Sequence, residues 1–382
     1  MIRIILISSV MPSPTSAGQV VLFRHLVDDP NIDLKILDLQ ARKKGFRSLF
    51  RKILCSLSNS KCRRYASDIT ALWKGRWLDS ELPEPVNTKN TTVVMTVAHG
   101  DVCYAAMRYA KKYKLPLVTI FHDWWPDMAG AHKLIRGKLD RDFRVLYQSS
   151  DLALCVCAGM IEQLGAHPNC SVLYPIPSAH LAAVRSVDHD QLFDSKFRIL
   201  YAGNFGQYSS MLMEALKIFM NDPRVRLEVR GPEPDWPETF KNDLKSRGLL
   251  LPFVQGDEFE KWLSSADAYL IPMSFEPHDR RRMETSFLSK ITEYSRLGRP
   301  LVVWSPSYGS AYRWADRLKS NIVVNEPSPE SLQRVIHDNI DDFDKVEALK
   351  QAAAHDLRGE FEPSEIQAQF LGSLKHLVGL DS

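Results

Sequence analysis

The chain has 382 residues, of which 45% are hydrophobic and 25% charged, and its formal net charge at pH 7 is +3. These values are typical of a globular protein of two or three domains, and they exclude a disordered, collagen-like or coiled-coil chain. No stretch approaches the ~18 consecutive apolar residues of a membrane span. The apolar run at the N-terminus is too short for a signal peptide, and the six cysteines form no paired zinc-ligand spacing, so we expect a reduced, cytoplasmic protein.

The two halves of the chain carry opposite charge. Residues 1–180 contain 24 basic and 15 acidic residues, whereas the remainder contains 25 basic and 31 acidic residues. We therefore expect the halves to meet different partners or to face each other.

Short apolar runs alternate with helical patterns in the first half. The apolar runs predict strands at 3–9, 33–39, 92–97, 116–121 and 153–157, and the helical spacing predicts helices at 20–27 and 104–114. This alternation is typical of a parallel sheet that is covered by helices on both faces.

A polar segment at 186–195, preceded by Pro175 and Pro177, interrupts this pattern and places a domain boundary near residue 180. A second series follows, with strands predicted at 197–202, 225–230, 268–271 and 301–304, and helices at 210–221, 238–247, 287–297, 328–336, 346–355 and 364–377. The sequence thus predicts an α/β protein of two doubly wound, Rossmann-like domains that face each other across a cleft. In such sheets, ligands bind beyond the carboxyl ends of the strands.

The strongest local signal is the segment 289–303, which reads SKITEYSRLGRPLVV. It predicts a helix, a glycine cap, a proline and a buried strand. Glu293 can accept hydrogen bonds from a ribose diol, and Lys290 lies one turn earlier on the same helix face. Ser286 and Ser289 lie in the first turns, where free amides favour an anion. The segment predicts a site for a nucleoside diphosphate, and a surface helix with a Lys–Glu pair is the alternative.

This segment resembles the nucleotide-sugar motif of two-domain (GT-B) glycosyltransferases, in particular glycosyltransferase family 4. Four further segments match that family in order and spacing: TIFHD at 119–123, YAGNFG at 201–206, VRGP at 229–232 and DAYLIP at 267–272. The resemblance implies domains at 1–180 and 181–362, with a terminal helix at 363–382 that packs back on the first domain. It also implies a nucleotide-sugar donor on the second domain, with Glu293 binding its ribose.

Three positions depart from the family pattern. Thr285 stands where the family has a first glutamate, and Asn204 and Ser209 stand where it has an arginine and a lysine that hold phosphate. Lys290, Arg230 or the arginine run at 280–282 are candidates to replace that pair, although the run is equally compatible with a solvated loop. The predicted donor-site residues are Gly18, Gly203, Asn204, Gly206, Arg230, Ser286, Ser289, Lys290 and Glu293.

Two histidines follow predicted strands of the first domain. His99 precedes Gly100 and Asp101, and His122 precedes Asp123. An imidazole at a strand end can orient an acceptor, act as a base or stabilise a leaving phosphate. We therefore take His99, His122 and Asp123 as candidate catalytic residues, with a structural role as the alternative.

Gly18 follows the first strand in a Pro/Ser-rich loop, where a glycine permits close backbone approach to a ligand or simply closes a turn. The segment Asp140-Arg141-Asp142 has the spacing of a metal-binding DxD motif, but it lies in a charged helical stretch. We interpret it as surface. The two-domain architecture that the chain resembles generally needs no metal, so we expect neither a metal nor a cofactor.

The segment 41–67 contains nine basic residues and no acidic residue, interleaved with apolar residues at helical spacing. Such a basic amphipathic helix suits an anionic membrane surface. A core helix with a solvated basic face is the alternative, and the lack of a recognition fold argues against nucleic acid.

Together these observations predict a cytoplasmic glycosyltransferase, peripheral at the membrane if the segment 41–67 binds lipid. It would move a sugar from a nucleotide-sugar donor to a glycan or lipid-linked acceptor, and the resemblance to family 4 implies transfer without a metal and with retention of configuration. A catalytically degenerate binding protein and a sugar-nucleotide epimerase of similar architecture remain as alternatives.

Overall fold

The computed structural model describes residues 1–14, 17–27, 29–37, 62–86, 88, 90–178 and 196–380. The chain divides into two compact units, one formed by Met1–Leu173 and Ile366–Ser382 and the other by Tyr174–Glu365. We call these the first and the second unit. Most of the basic segment 41–67 lies outside the described residues, and so does the boundary segment 186–195.

The first unit is built on a six-stranded parallel sheet with the order β2-β1-β3-β4-β5-β6. The strands are β1 (Ile2–Leu6), β2 (Ile32–Ile36), β3 (Thr92–Val97), β4 (Leu117–Phe121), β5 (Leu152–Cys155) and β6 (Cys170–Val172). The helices are α1 (Ala17–Leu26), α2 (Arg63–Trp73), α3 (Val102–Tyr113), α4 (Trp125–Met128), α5 (Lys133–Gln148) and α6 (Ala158–Leu164). The runs of valine, isoleucine and leucine in β3 and β4 are buried throughout, as expected of strands covered on both faces.

The second unit repeats this architecture with the strand order β12-β11-β10-β7-β8-β9, again all parallel. The strands are β7 (Phe197–Ala202), β8 (Val225–Gly231), β9 (Leu250–Pro252), β10 (Ala268–Pro272), β11 (Leu301–Trp304) and β12 (Ile322–Val324). The helices are α7 (Ser209–Phe219), α8 (Glu238–Ser246), α9 (Asp257–Ser264), α10 (Arg280–Thr285), α11 (Ser289–Ser295), α12 (Ser310–Ala315), α13 (Pro329–Ile340) and α14 (Phe343–Glu360), and the terminal helix α15 (Pro363–Leu377) leads back into the first unit. The predicted class, with two doubly wound parallel sheets, is therefore confirmed.

The terminal helix α15 carries Phe370 and Leu374 into the apolar core of the first unit, beside Ile4 and Leu22. Gln367 at the start of the same contact hydrogen-bonds the His25 ring at 3.1 Å. These contacts explain why residues 366–382 belong to the first unit.

Three strands escaped the sequence analysis: β6, β9 and β12. Each has three residues and lies at the edge of its sheet. An apolar pattern this short is not distinguishable from a loop. Helix α11 is also shorter than the predicted 287–297, because Leu288 has extended backbone angles and α11 begins only at Ser289.

Asp140 and Asp142 lie on α5, and the interpretation of this stretch as free surface is wrong. Asp142 is buried and is held by Lys74 and Lys138, each at 2.5 Å. Asp140 accepts a hydrogen bond from the Trp124 indole at 2.9 Å and pairs with Arg144. Both carboxylates are therefore committed to the packing of α5.

Among the described residues, no helix is both long and apolar enough to cross a membrane.

Candidate functional site

A pocket of about 350 Å³ opens in the second unit. It lies at the carboxyl end of β7, which is flanked by β8 and β10 and is the point where the strand order reverses. Doubly wound sheets bind their ligands at this position. The lining residues are Ser178, Ala202, Gly203, Arg230, Phe253, Val254, Phe259, Glu260, Leu263, Lys290, Glu293 and Tyr294.

Two glycines allow the strand ends to form this pocket. Gly203, directly after β7, has φ = +130°, a conformation that residues with a Cβ rarely adopt. A Cβ added there would lie 2.5 Å from the Lys290 ammonium. A Cβ added to Gly231 at the end of β8 would overlap the carbonyl oxygen of Gly203. The backbone at both strand ends is therefore packed too closely for a side chain.

Tyr294 of α11 fixes the end of β7 from below. Its hydroxyl accepts from the amide of Ala202 at 3.0 Å and donates to the carbonyl of the same residue at 3.2 Å. Its ring stacks on Tyr269 of β10, with centroids 4.5 Å apart. Because Tyr294 follows Glu293 in the sequence, these contacts also fix the part of α11 that carries the predicted ribose-binding carboxylate.

Lys290 and Glu293 both line the pocket, one turn apart on α11. The Lys290 ammonium lies 4.0 Å from the centroid of the Tyr201 ring, and it forms no ion pair among the described residues. Burial of this unpaired cation lowers its pKa from 10.5 to about 7. Glu293 accepts a hydrogen bond from the amide of Ser178 at 2.8 Å.

Arg230 supplies a second cation from the end of β8. Its guanidinium donates to the Pro252 carbonyl at 3.3 Å and to Glu258 at 3.2 Å, and it lies 5.0 Å from the Trp262 ring centroid. The side chain is 8% exposed, and its buried Nε has no hydrogen-bond partner among the described residues. A buried donor without a partner costs about 1–3 kcal/mol.

The opposite wall is apolar and was missed by the sequence analysis. It consists of Phe253 and Val254 after β9, and Phe259 and Leu263 on α9. Phe253 is 60% exposed although it is a large aromatic residue. Its side chain therefore offers a flat surface to a ligand. A phenylalanine directly after an apolar run was the only signal in the sequence, but β9 itself, with three residues, was too short to recognise.

Of the predicted donor-site residues, Gly203, Arg230, Lys290 and Glu293 come together in this pocket and the other five do not line it. Asn204 is exposed, and its side chain accepts from the Gly206 amide at 3.0 Å to close a turn. Gly18 lies in the first turn of α1 rather than in the preceding loop.

The prediction of a free amide is wrong for Ser286. The Ser286 amide donates to the Arg282 carbonyl at 2.9 Å, because this residue terminates α10. The Ser286 carbonyl accepts from the Ser310 hydroxyl. Ser289 is exposed and lies outside the pocket.

In the first unit, His99 and His122 follow the neighbouring strands β3 and β4. Val97 pairs with Ile120, so each histidine lies two residues beyond a paired position. Burial lowers the pKa of both imidazoles, while the Asp123 carboxylate opposes this effect, and His99 further lowers the pKa of His122. The His99 carbonyl accepts from the Ser9 hydroxyl at 2.8 Å, and its ring meets the edge of Trp125. The three candidate catalytic residues thus form one cluster, and both rings favour the neutral form that a base requires.

Among the described residues, no group of three His, Cys, Asp or Glu side chains is arranged to hold a metal ion.

Comparison with solved structures identifies the fold. HepE of Anabaena, crystallised with UDP and glucose, is 12% identical, with 98% of this chain and 100% of that chain covered and a TM-score of 0.63. A glycosyltransferase of Rickettsia africae is 10% identical, with 98% of each chain covered and a TM-score of 0.60. The UDP-forming α,α-trehalose-phosphate synthase of Burkholderia xenovorans is 11% identical, with 98% and 100% covered and a TM-score of 0.56.

No family model and no curated protein sequence matches the chain. The structural likeness establishes that the chain has the GT-B fold of glycosyltransferases. Membership of family 4 remains a resemblance of motifs.

Proposed function

We propose that the protein is a glycosyltransferase whose second unit binds a nucleotide-sugar donor in the pocket at the carboxyl end of β7. One observation carries the proposal: the pocket combines two cations, a carboxylate and an apolar wall around a glycine backbone. A nucleotide-sugar contains the matching groups, namely a diphosphate, a ribose diol and a flat base.

Each group of the donor has a counterpart in the pocket. The diphosphate pairs with Lys290 and Arg230 beside Gly203, where a side chain would obstruct it. Glu293 accepts from the ribose hydroxyls, and Phe253 covers the base. Lys290 and Arg230 thereby take the place of the arginine and lysine that the family carries at 204 and 209. UDP-glucose is the first donor to test, because HepE has been crystallised with it.

The acceptor is a glycan or a lipid-linked sugar, as in polysaccharide biosynthesis, and the first unit binds it near His99, His122 and Asp123. The resemblance to family 4 further implies transfer without a metal or cofactor, and with retention of the anomeric configuration. Activity that survives EDTA, and the anomeric proton signal of the product, test these two points.

Isothermal titration of nucleotide-sugars into wild type and Glu293→Ala tests the donor site. Loss of two hydrogen bonds to a charged group, each worth about 1.5–3 kcal/mol, should weaken donor binding on the order of 100-fold or more. Glu260→Ala is the matched control, since Glu260 also lines the pocket. Donor affinity within threefold of wild type for Glu293→Ala, or an equal loss for both variants, would exclude the assigned role.

A degenerate, non-catalytic binding protein is the second candidate. Asn204 closes its own turn, and the Ser209 hydroxyl accepts from the Trp236 indole at 2.8 Å, so neither side chain serves the phosphates. Release of nucleoside diphosphate from a bound donor decides between the two candidates, because a binding protein would release none.

A further inference from the structure

Helices α2 and α5 of the first unit lie side by side and form a continuous outer surface. The Asp68 carboxylate of α2 accepts from the His132 amide at 2.9 Å, just before α5 begins, and the Tyr65 ring packs on the His132 ring at 4.8 Å. Lys74, directly after α2, pairs with Asp142 in the middle of α5. The two helices therefore run together along their length.

Large apolar side chains point outward on this surface. Tyr65 and Leu72, seven residues apart on α2, are 63% and 48% exposed, and Trp73 is 46% exposed. On α5, Leu134 is 95% exposed and Val145 is 52% exposed. Exposed apolar residues of this size that gather on one surface are typical of an interaction site.

The charge on the same surface is almost wholly positive. Residues 63–76 and 133–148 contain nine basic and three acidic residues. Each of the acidic side chains already has a partner within the surface: Asp68 contacts the His132 ring, Asp140 pairs with Arg144, and Asp142 pairs with Lys74 and Lys138. Arg63, Arg64, Arg76, Lys133, Arg136 and Arg141 remain for an external partner.

We propose that the outer surface of α2 and α5 docks on a bilayer of anionic lipid. Tyr65, Leu72, Trp73 and Leu134 enter the headgroup region while the arginines meet the lipid phosphates. Tyrosine, tryptophan and leucine beside a basic rim are the composition of interfacial helices, and each cation near an anionic surface adds to binding. The surface contains Arg63 and Arg64 from the end of the basic segment predicted at 41–67, and it adds α5, which the sequence pattern did not suggest. Docking is independent of the proposed donor site.

Flotation of the full chain with vesicles tests the proposal. Wild type should bind vesicles that contain phosphatidylglycerol, should not bind phosphatidylcholine alone, and should be released by salt. The variant Arg63→Gln/Arg64→Gln/Arg136→Gln should bind about 100-fold more weakly, since each basic residue near the surface contributes a factor of about five. Leu72→Ser/Leu134→Ser should also lose binding.

The second unit offers matched controls. Lys217→Gln/Arg334→Gln/Lys345→Gln removes three exposed charges, and Phe343→Ser removes an apolar side chain that is 77% exposed. Both controls should bind vesicles as wild type does. Circular dichroism and donor titration check that all variants fold, so that failure of docking is separate from failure of the donor site.

Brominated lipid adds a readout of contact at this surface. It should quench wild-type tryptophan fluorescence more than that of Trp73→Phe, because Trp73 is at the docking surface. If the surface variants still bind vesicles, membrane binding would be attributed to residues 41–61 and the proposal would be overturned. Binding of single-stranded RNA but not of vesicles would overturn it too.

Discussion

The two sheets have related topologies, yet different types of side chain gather at the carboxyl ends of their strands. In the second unit, the end of β7 collects Lys290 and Arg230, and the Lys290 ammonium has no ion pair among the described residues. In the first unit, the ends of β3 and β4 present two imidazoles next to the Asp123 carboxylate. The cations of the second unit are suited to bind an anion, and the imidazoles of the first unit are suited to accept a proton. The comparison suggests that donor binding and proton chemistry can be separated by mutation.

The largest effect is expected at His122. His122→Gln should lower kcat by about 10²–10⁴-fold, the usual contribution of a general acid or base, while donor affinity stays within threefold. Steady-state rates and donor titration measure the two quantities separately. His167→Gln is the control, because this half-buried histidine of the same unit hydrogen-bonds Ser150 and Asn169 rather than the cluster at the ends of β3 and β4. If His122→Gln lowered donor affinity and kcat by the same factor, donor binding and proton chemistry would not be separate.

Lys290→Met should weaken binding of the nucleoside diphosphate about 10- to 100-fold, since it removes a hydrogen-bond donor and a charge from the diphosphate. Binding of the plain nucleoside should change much less. Competition titration with both ligands checks this contrast. Equal loss for nucleoside and nucleoside diphosphate would place Lys290 against the base or ribose instead.

The affinity of the donor should also depend on pH. Burial holds the pKa of Lys290 at about 7 in the free protein, and an anionic diphosphate raises it, so binding takes up a proton. Affinity should therefore be highest below pH 7 and should fall as the pH rises above it, by up to about tenfold per pH unit. Lys290→Arg should remove the dependence, because arginine stays protonated. Titration in buffers of different ionisation enthalpy measures the proton uptake, and an uptake unchanged in Lys290→Arg would contradict the assignment.

The smallest effect is expected at the apolar wall. Phe253→Ala should weaken nucleotide binding about fivefold, because aromatic contacts contribute about 0.5–1.5 kcal/mol beyond burial. Ribose 5-diphosphate, which lacks a base, should bind both proteins equally. Phe343→Ala is the control at an exposed phenylalanine outside the pocket. A loss for the base-free ligand would show that Phe253 supports the pocket rather than the base.

Local patterns made part of this site predictable. Lys290 and Glu293 are three residues apart on one helix, and Gly203 directly follows a buried strand. Helix periodicity and the usual ligand position in such sheets were therefore sufficient to predict that all three lie at the site. The apolar wall depends on β9 and α9 meeting the end of β7, which no local spacing encodes. The predicted role of Asn204 illustrates the same limit: an asparagine suits a polar contact to a ligand, but this side chain accepts a hydrogen bond from the Gly206 amide.

The fold was predictable for a similar reason. A long buried strand such as β3 is recognisable from its continuous run of β-branched and apolar residues, whereas the three edge strands are too short to show such a run. The prediction that the two carboxylates of α5 lie on the surface was wrong, because two of their partners are distant in the sequence. Asp142 binds Lys74 and Asp140 binds Trp124, and neither contact can be inferred from the charge pattern of the helix.

Gly231 sets a physical bound on how this protein can change. Even the methyl group of alanine would overlap the Gly203 carbonyl oxygen, so the main chain after β7 or β8 would have to move. Because Gly203 lines the pocket and Gly231 does not, Gly231→Ala is expected to change the shape of the pocket although it replaces none of the lining residues.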